Sequence, residues 1–355
     1  MNMPIFANRC CLLTALLIAP ASFSNATPFT NPLRPTGADP WIITHNGDYF
    51  YIRSIENRID IFKTKTLAGL KDAEAKSVWQ PPKKGSYSQG VWAPELHFIR
   101  DKWYIYVSAD AGKNESHRVW VLENASPDPQ QGNWTMKGKL TSPDDHWAID
   151  GSVFENRGQL YTIWSGWDGE KNGKQNIYIA LMSDPWTISG KRVLVSTPTL
   201  PWETVGDTDP EKMPGDPRHI DVNEGPEMLV HGDKLFLIYS ASGCWTDHYA
   251  LGMLTASNDS NLLDPASWKK SPEPMLSTLP EAQAYSTGHC GFFKSPDGKE
   301  DWIVYHANPK ANQSCGSFRS PRAQKISWKS DGTPDFGPPI PLGREIDGPS
   351  GEPAR

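Results

Sequence analysis

A hairpin-based unit with a polar residue at its head recurs five times along this chain, and that recurrence limits the possible folds more than any other feature. The clearest copy opens Ala148-Ile149-Asp150-Gly151-Ser152-Val153-Phe154 and turns at Glu155-Asn156-Arg157-Gly158-Gln159. It returns as Leu160-Tyr161-Thr162-Ile163-Trp164-Ser165-Gly166 and adds a third β-rich run at 175–182. Other copies begin at Asp39, around Ala93 to Glu95, at Glu224 and at His289. First turns carry Gly, Asn or Asp, as in Asn46-Gly47 and His231-Gly232-Asp233, which suits β-hairpins. Almost nothing repeats at a helical period. Heads spaced roughly 55 to 75 residues apart are too far apart for one- or two-strand solenoid coils and suit multi-strand blades. The fold class predicted is therefore all-β, a five-bladed β-propeller. Gly190–Val222, the longest insertion, reads as a surface loop on one face, and 331–355 reads as a Gly- and Pro-rich tail without a clear strand.

The first 26 residues read as a secretory signal. Arg9 supplies the positive end, Leu12–Ala19 a short apolar run, and Ser24-Asn25-Ala26 the small residues of a cleavage site. Mature protein would start near Thr27, with one catalytic domain over 27–355. The expected location is extracellular, or periplasmic in a Gram-negative host. Cleavage removes Cys10 and Cys11 and leaves Cys244, Cys290 and Cys315, which allows one internal disulfide of undetermined pairing and a spare thiol. Five Asn-X-Ser/Thr sites, at Asn114, Asn124, Asn133, Asn258 and Asn312, fit the glycosylation pattern. A net charge of -6 argues against a nucleic-acid groove. The 15 Trp exceed ordinary use; most should fill the core, and some could stack on the apolar faces of sugar rings.

First strands of propeller blades line a central channel, so equivalent heads converge there. Asp39, Asp150, Glu224 and His289 would then share one hollow. In copy two, the turn aligns Ala93 with the slot, while Glu95 lies two residues on. An Asp or Glu before Pro or Gly often only caps a turn. Three carboxylates at matching places in separate copies favour chemistry instead. Acetal hydrolysis needs a protonated carboxyl for the leaving oxygen and an ionised one to activate water or attack carbon. Carboxylates could also hold Ca²⁺, although no EF-hand loop is present.

Gly37-Ala38-Asp39-Pro40-Trp41, Val91-Trp92-Ala93-Pro94-Glu95, Ala148-Ile149-Asp150-Gly151, Asn223-Glu224-Gly225-Pro226-Glu227 and Gly288-His289 together resemble glycoside hydrolase family 43, a set of five-bladed propellers with inverting chemistry. The resemblance covers nearly the whole mature chain. It implies that Asp39 is the general base, Glu224 the general acid, and Asp150 the residue that raises and orients that acid. It implies a calcium or sodium ion beside His289 on the propeller axis, although Cys290 follows where Asn or Gly is usual. It implies that Arg322 reaches sugar hydroxyls. Trp92 should stack on or wall the terminal sugar. Trp164, Trp167 and His306 are weaker candidates for the pocket.

Within that family, the runs at 239–245, 251–255 and 300–306 look most like exo-acting α-L-arabinofuranosidases. The expected substrate is arabinan or an arabino-oligosaccharide of plant cell walls, and the expected state is a monomer. β-Xylosidase and endo-arabinanase are alternatives that use the same trio. A non-catalytic glycan-binding propeller is the alternative from another class, and it has no need of three poised carboxylates.

Overall fold

A computed structural model describes Met1 and residues 26–354, so the proposed signal segment lies outside the described residues, apart from Met1 and Ala26. The described residues are almost entirely β, interrupted by short 3₁₀ turns. Five antiparallel meanders follow one another. The first comprises Trp41–His45, Asp48–Ile55, Arg58–Thr64 and Ala75–Trp79; the second Gln89–Ile99, Lys102–Asp110, Arg118–Asn124 and Thr135–Leu140. The third runs through Ala148–Asn156, Gln159–Trp167 and Lys174–Asp184. The fourth has Asp221–His231, Lys234–Ala241, Ala250–Ser257 and Lys269–Lys270. The fifth is three-stranded: Tyr285–Lys294, Asp301–Asn308 and Ser320–Lys325.

Two-residue turns join the first two strands of most units. Asn46-Gly47, Arg100-Asp101 and Arg157-Gly158 all adopt positive φ at both positions, the backbone that matches the twist of paired strands. Both faces of the sheets are apolar because each sheet is covered on both sides. Trp41, Ile52 and Ile61 of the first unit pack on Leu96, Trp103 and Ile105 of the second. Four similar layers lie between units two and three, three and four, four and five, and five and one. Trp103, Trp167 and Trp302 are among the largest fully buried side chains, and each such burial contributes on the order of 2 kcal/mol or more. Much of the tryptophan surplus is therefore core.

First strands of consecutive units touch, and the first strand of unit five touches that of unit one. Two short strands, Phe29–Thr30 and Glu345–Ile346, pair antiparallel, and Ala26 bridges Ala354. The tail thus contains ordered strands, at Pro334–Asp335 as well as at 345–346, where composition indicated none. The long insertion is also more than a loop. It carries the strand Val193–Ser196, and its Glu203 is wholly buried, ion-paired with Lys270 at 2.7 Å and accepting the Tyr239 hydroxyl at 2.7 Å.

Candidate active site

Each first strand bends at one residue in left-handed conformation. These are Asp39 (φ 49°), Ala93 (φ 42°), Asp150 (φ 53°), Gly225 (φ 52°) and His289 (φ 46°). In units two to five, strand register slips at this point, as at a β-bulge, which re-aims the side chain. A non-Gly residue held there costs of order 1 kcal/mol or more, so four such positions at matching places mark a functional constraint. The slot of the second unit is Ala93, which resolves the ambiguity with Glu95. In the fourth unit the slot is Gly225, because a Cβ there would press on the His289 ring at 3.2 Å. The carboxylate accordingly sits one residue earlier, at Glu224.

Asp39, Asp150, Glu224 and His289 all line one cavity of about 380 Å³. A larger hollow, about 460 Å³, lies against segment 334–346, but none of the head residues lines it. His289 Nδ1 lies 3.4 Å from Asp39 Oδ1 and 4.0 Å from Asp150 Oδ2, between two of the carboxylates. The Asp39 carboxylate also accepts a hydrogen bond from Arg319 Nη1 at 3.0 Å, and its backbone N–H donates to His306 Nδ1 at 3.1 Å. Asp150 Oδ2 accepts the Gly225 N–H at 3.1 Å, while the Asp150 N–H donates to Ser108 Oγ at 2.9 Å. Glu224 Oε1 accepts the Tyr249 hydroxyl at 2.8 Å.

These surroundings separate the carboxyl groups. Burial works against ionising Asp39, but its polar neighbours, the Arg319 guanidinium foremost, outweigh it and hold Asp39 well below the usual carboxylate range. Burial also lowers His289, and lowers His306 to about 4, so both rings are neutral near pH 7 and Arg319 is the cation that matters. Glu224 goes the other way: burial pushes it up to about 7, against the pull of the Tyr249 hydrogen bond and with the help of the Asp39 charge. Burial and repulsion from Glu224 and Asp39 also raise Asp150. Glu224 therefore retains a proton toward neutrality beside an ionised Asp39. One ionised and one protonated carboxyl are the pair that acetal hydrolysis needs.

The walls come from several units. Trp92 is 42% exposed and stacks on His117 at 3.9 Å, which is itself held by Asp110 at 3.2 Å. Trp147 stacks on the buried Trp167 at 4.6 Å. Met213, Asp216 and Ile220 of the insertion line the cavity, with Asn172 Nδ2 donating to Asp216 at 3.0 Å. On the far side, the disulfide Cys244–Cys315 ties the loop bearing Trp245 to the loop bearing Arg319, which fixes the pairing that spacing left open. Cys290 is a buried free thiol within the core between units four and five.

Arg322 does not line the cavity. It is fully buried and donates to the carbonyls of Ala282 (3.3 Å) and Gln283 (2.6 Å), so the arginine at the site is Arg319, three residues earlier. Trp164 packs on Tyr178 in the core and Trp167 only backs Trp147, so neither lines the cavity; Trp147 and Trp245 do. His306 stands behind Asp39 rather than in the wall. As for the cation expected beside His289, no group of three or more His, Cys, Asp or Glu among the described residues is arranged to hold a metal ion. An ion held at His289 would therefore draw most of its ligands from solvent.

Residues 29–334 match the family model described as glycosyl hydrolases family 43. The "extracellular exo-alpha-(1->5)-L-arabinofuranosidase" of Streptomyces avermitilis is 37% identical, across 93% of this chain and 70% of its own length. "Alpha-L-arabinofuranosidase 43" of Humicola insolens is 36% identical, across 91% of this chain and 66% of its own length. The crystal structure of an alpha-L-arabinofuranosidase from Lactobacillus brevis superposes with a TM-score of 0.80 at 37% identity, covering 89% of this chain and 98% of the other.

Proposed function

The chain belongs to glycosyl hydrolases family 43, and on that premise we propose that it is an exported, inverting exo-α-L-arabinofuranosidase that releases single arabinose units from arabinan or arabino-oligosaccharides. In this reading its architecture is a five-bladed propeller, supported by the cyclic order in which first strands touch. Export is supported by the extracellular names of relatives. No helix among the described residues is long and apolar enough to cross a membrane.

The observation that carries the reading is the opposite treatment of Asp39 and Glu224 in one sugar-sized hollow. Asp39, ionised beside Arg319, takes a proton from water as the water attacks the anomeric carbon. Glu224, protonated, passes its proton to the departing oxygen. Asp150 holds the Gly225 N–H next to Glu224 and so orients that acid. Exo action is supported by the exo-acting names of relatives, while the insertion, Trp92, Trp147 and the disulfide-tied loops line the same cavity. The test is incubation with α-(1→5)-arabino-oligosaccharides, with proton NMR of the first product. Arabinose of inverted configuration is expected. Retained configuration, or oligomers as the first products, would overturn the mechanism or the exo mode respectively. A solvent-completed cation at His289 stays a proposal. Sub-stoichiometric metal in fully active purified protein would end it.

Arg319 gives a separable prediction. In Arg319→Gln the cation that holds Asp39 down is gone, and burial then raises its pKa. The base must be ionised to work, so the acid limb of the kcat/KM profile should move up by about one pH unit or more. An unmoved limb would show that Arg319 does not set the state of Asp39.

A further inference from the structure

We propose that Tyr249 is a positioning residue for the general acid: its phenol occupies Glu224 Oε1 and so leaves Oε2 as the oxygen that delivers the proton. The inference rests on the reading of Glu224 as the acid, and it adds a partner that the reading does not require.

Tyr249 is 1% exposed and its hydroxyl donates to Glu224 Oε1 at 2.8 Å. Its ring has no freedom to turn away. One face lies parallel to the His306 ring, with centroids 5.8 Å apart and planes 7° apart. Its edge rests on Gly288, where a Cβ would collide with Tyr249 Cε1, so the glycine makes the seat. Ser240, a hydroxyl near the phenol, is itself fixed by accepting the His289 N–H at 2.7 Å. The hydrogen bond that the phenol makes is to Glu224, so its proton is directed there. Burial keeps the phenol protonated across the working range, so it remains a donor.

The Tyr249 hydrogen bond has a chemical consequence. During leaving-group departure the Oε2–H bond of Glu224 breaks and the proton goes to the glycosidic oxygen, while Asp39 takes one from the attacking water. Negative charge grows on the Glu224 carboxyl, and the Tyr249 O–H strengthens its hydrogen bond to that charge without losing its proton. A hydrogen bond that tightens as charge develops stabilises the transition state more than the ground state. His306 extends the same brace to the base, since its Nδ1 accepts the Asp39 N–H. The ring that lies parallel to Tyr249 thus also holds the backbone of Asp39.

The experiment is kcat and KM for Tyr249→Phe across pH, on α-(1→5)-arabinobiose and on 4-nitrophenyl α-L-arabinofuranoside. Removing a donor to a carboxylate raises the pKa of that carboxyl, so the alkaline limb should move up. On arabinobiose kcat should fall roughly 10- to 100-fold, the size of one hydrogen bond to a charged group. On the nitrophenyl substrate, whose leaving group needs little protonation, the loss should be less than about threefold. KM should hold for both. A limb that stays put, equal losses on the two substrates, or a change confined to KM would overturn the proposal. Should Tyr249→Phe fail to fold, 3-fluorotyrosine at position 249 decides: a stronger donor to Glu224 should move the alkaline limb down, and no shift overturns the idea. Glu224→Gln in the same assay separates the two levels. A wild type without arabinofuranosidase activity, or an unaffected Glu224→Gln, defeats the acid assignment itself. A normal wild type with a crippled Glu224→Gln and an indifferent Tyr249→Phe defeats only this inference.

Discussion

Asp39→Asn is expected to lower kcat by about 10³- to 10⁴-fold or more on every substrate, whatever its leaving group, because the base acts on water and not on the aglycone. The substitution keeps the shape of the side chain, and an amide can still accept the Arg319 N–H that Asp39 accepts at 3.0 Å. What disappears is the ability to take a proton. KM should change little, since Asn keeps the volume and most of the polar contacts. A small anion such as azide needs no base to attack, so it should restore turnover of the nitrophenyl substrate in this variant. Loss that depends on the leaving group, or activity above a tenth of wild type, would move the base elsewhere in the cavity.

Glu224→Gln carries the second large effect, and its signature is the dependence on leaving group that Asp39→Asn lacks. Turnover of arabinobiose should fall about 10³- to 10⁴-fold, whereas the nitrophenyl substrate should lose far less. The alkaline limb of the residual activity should vanish, because its titrating group is gone. The same change should make the protein more stable. Burial first, and the Asp39 charge after the opposing Tyr249 bond, push Glu224 up to about 7, above its value in an unfolded chain. An acid raised in this way destabilises the fold above its unfolded pKa, increasingly as pH rises to the folded one. At pH 8, Glu224→Gln should therefore melt higher than wild type. A lower melting temperature together with uniform loss on both substrates would mean a damaged fold and not a missing acid.

How much of this was legible in the sequence differs residue by residue. Asp39 and Asp150 stand in the repeat itself, because a bulged first strand demands one residue of unusual backbone at the same place in each unit. Glu224 is less regular, and the reason is steric: His289 occupies the space beside Gly225, which displaces the carboxylate by one position. Ala93 and Glu95 could not be separated from spacing, since the first strand of the second unit is bulged at both 89–92 and 92–95. The arginine was misplaced for a tertiary reason. Arg319 and Arg322 are three apart, and only the strand start at Ser320 and the loop anchored by Cys315 decide which one reaches Asp39. Trp147 and Tyr249 gave no signal beyond being aromatic residues at strand edges. Their roles come from contacts with His306, Gly288 and Trp167, all distant from them in sequence order or identified only by packing.

The pairing of Phe29–Thr30 with Glu345–Ile346 brings the two ends of the described chain together. Which meander comes first is thus an accident of where the polypeptide was cut, not a requirement of the packing. A circular permutant joined by a few flexible residues from 354 to 26 and reopened within the Asn46-Gly47 turn would retain every strand partnership. The hollow is lined by residues from several meanders, and the order of the chain only chooses where the series is entered.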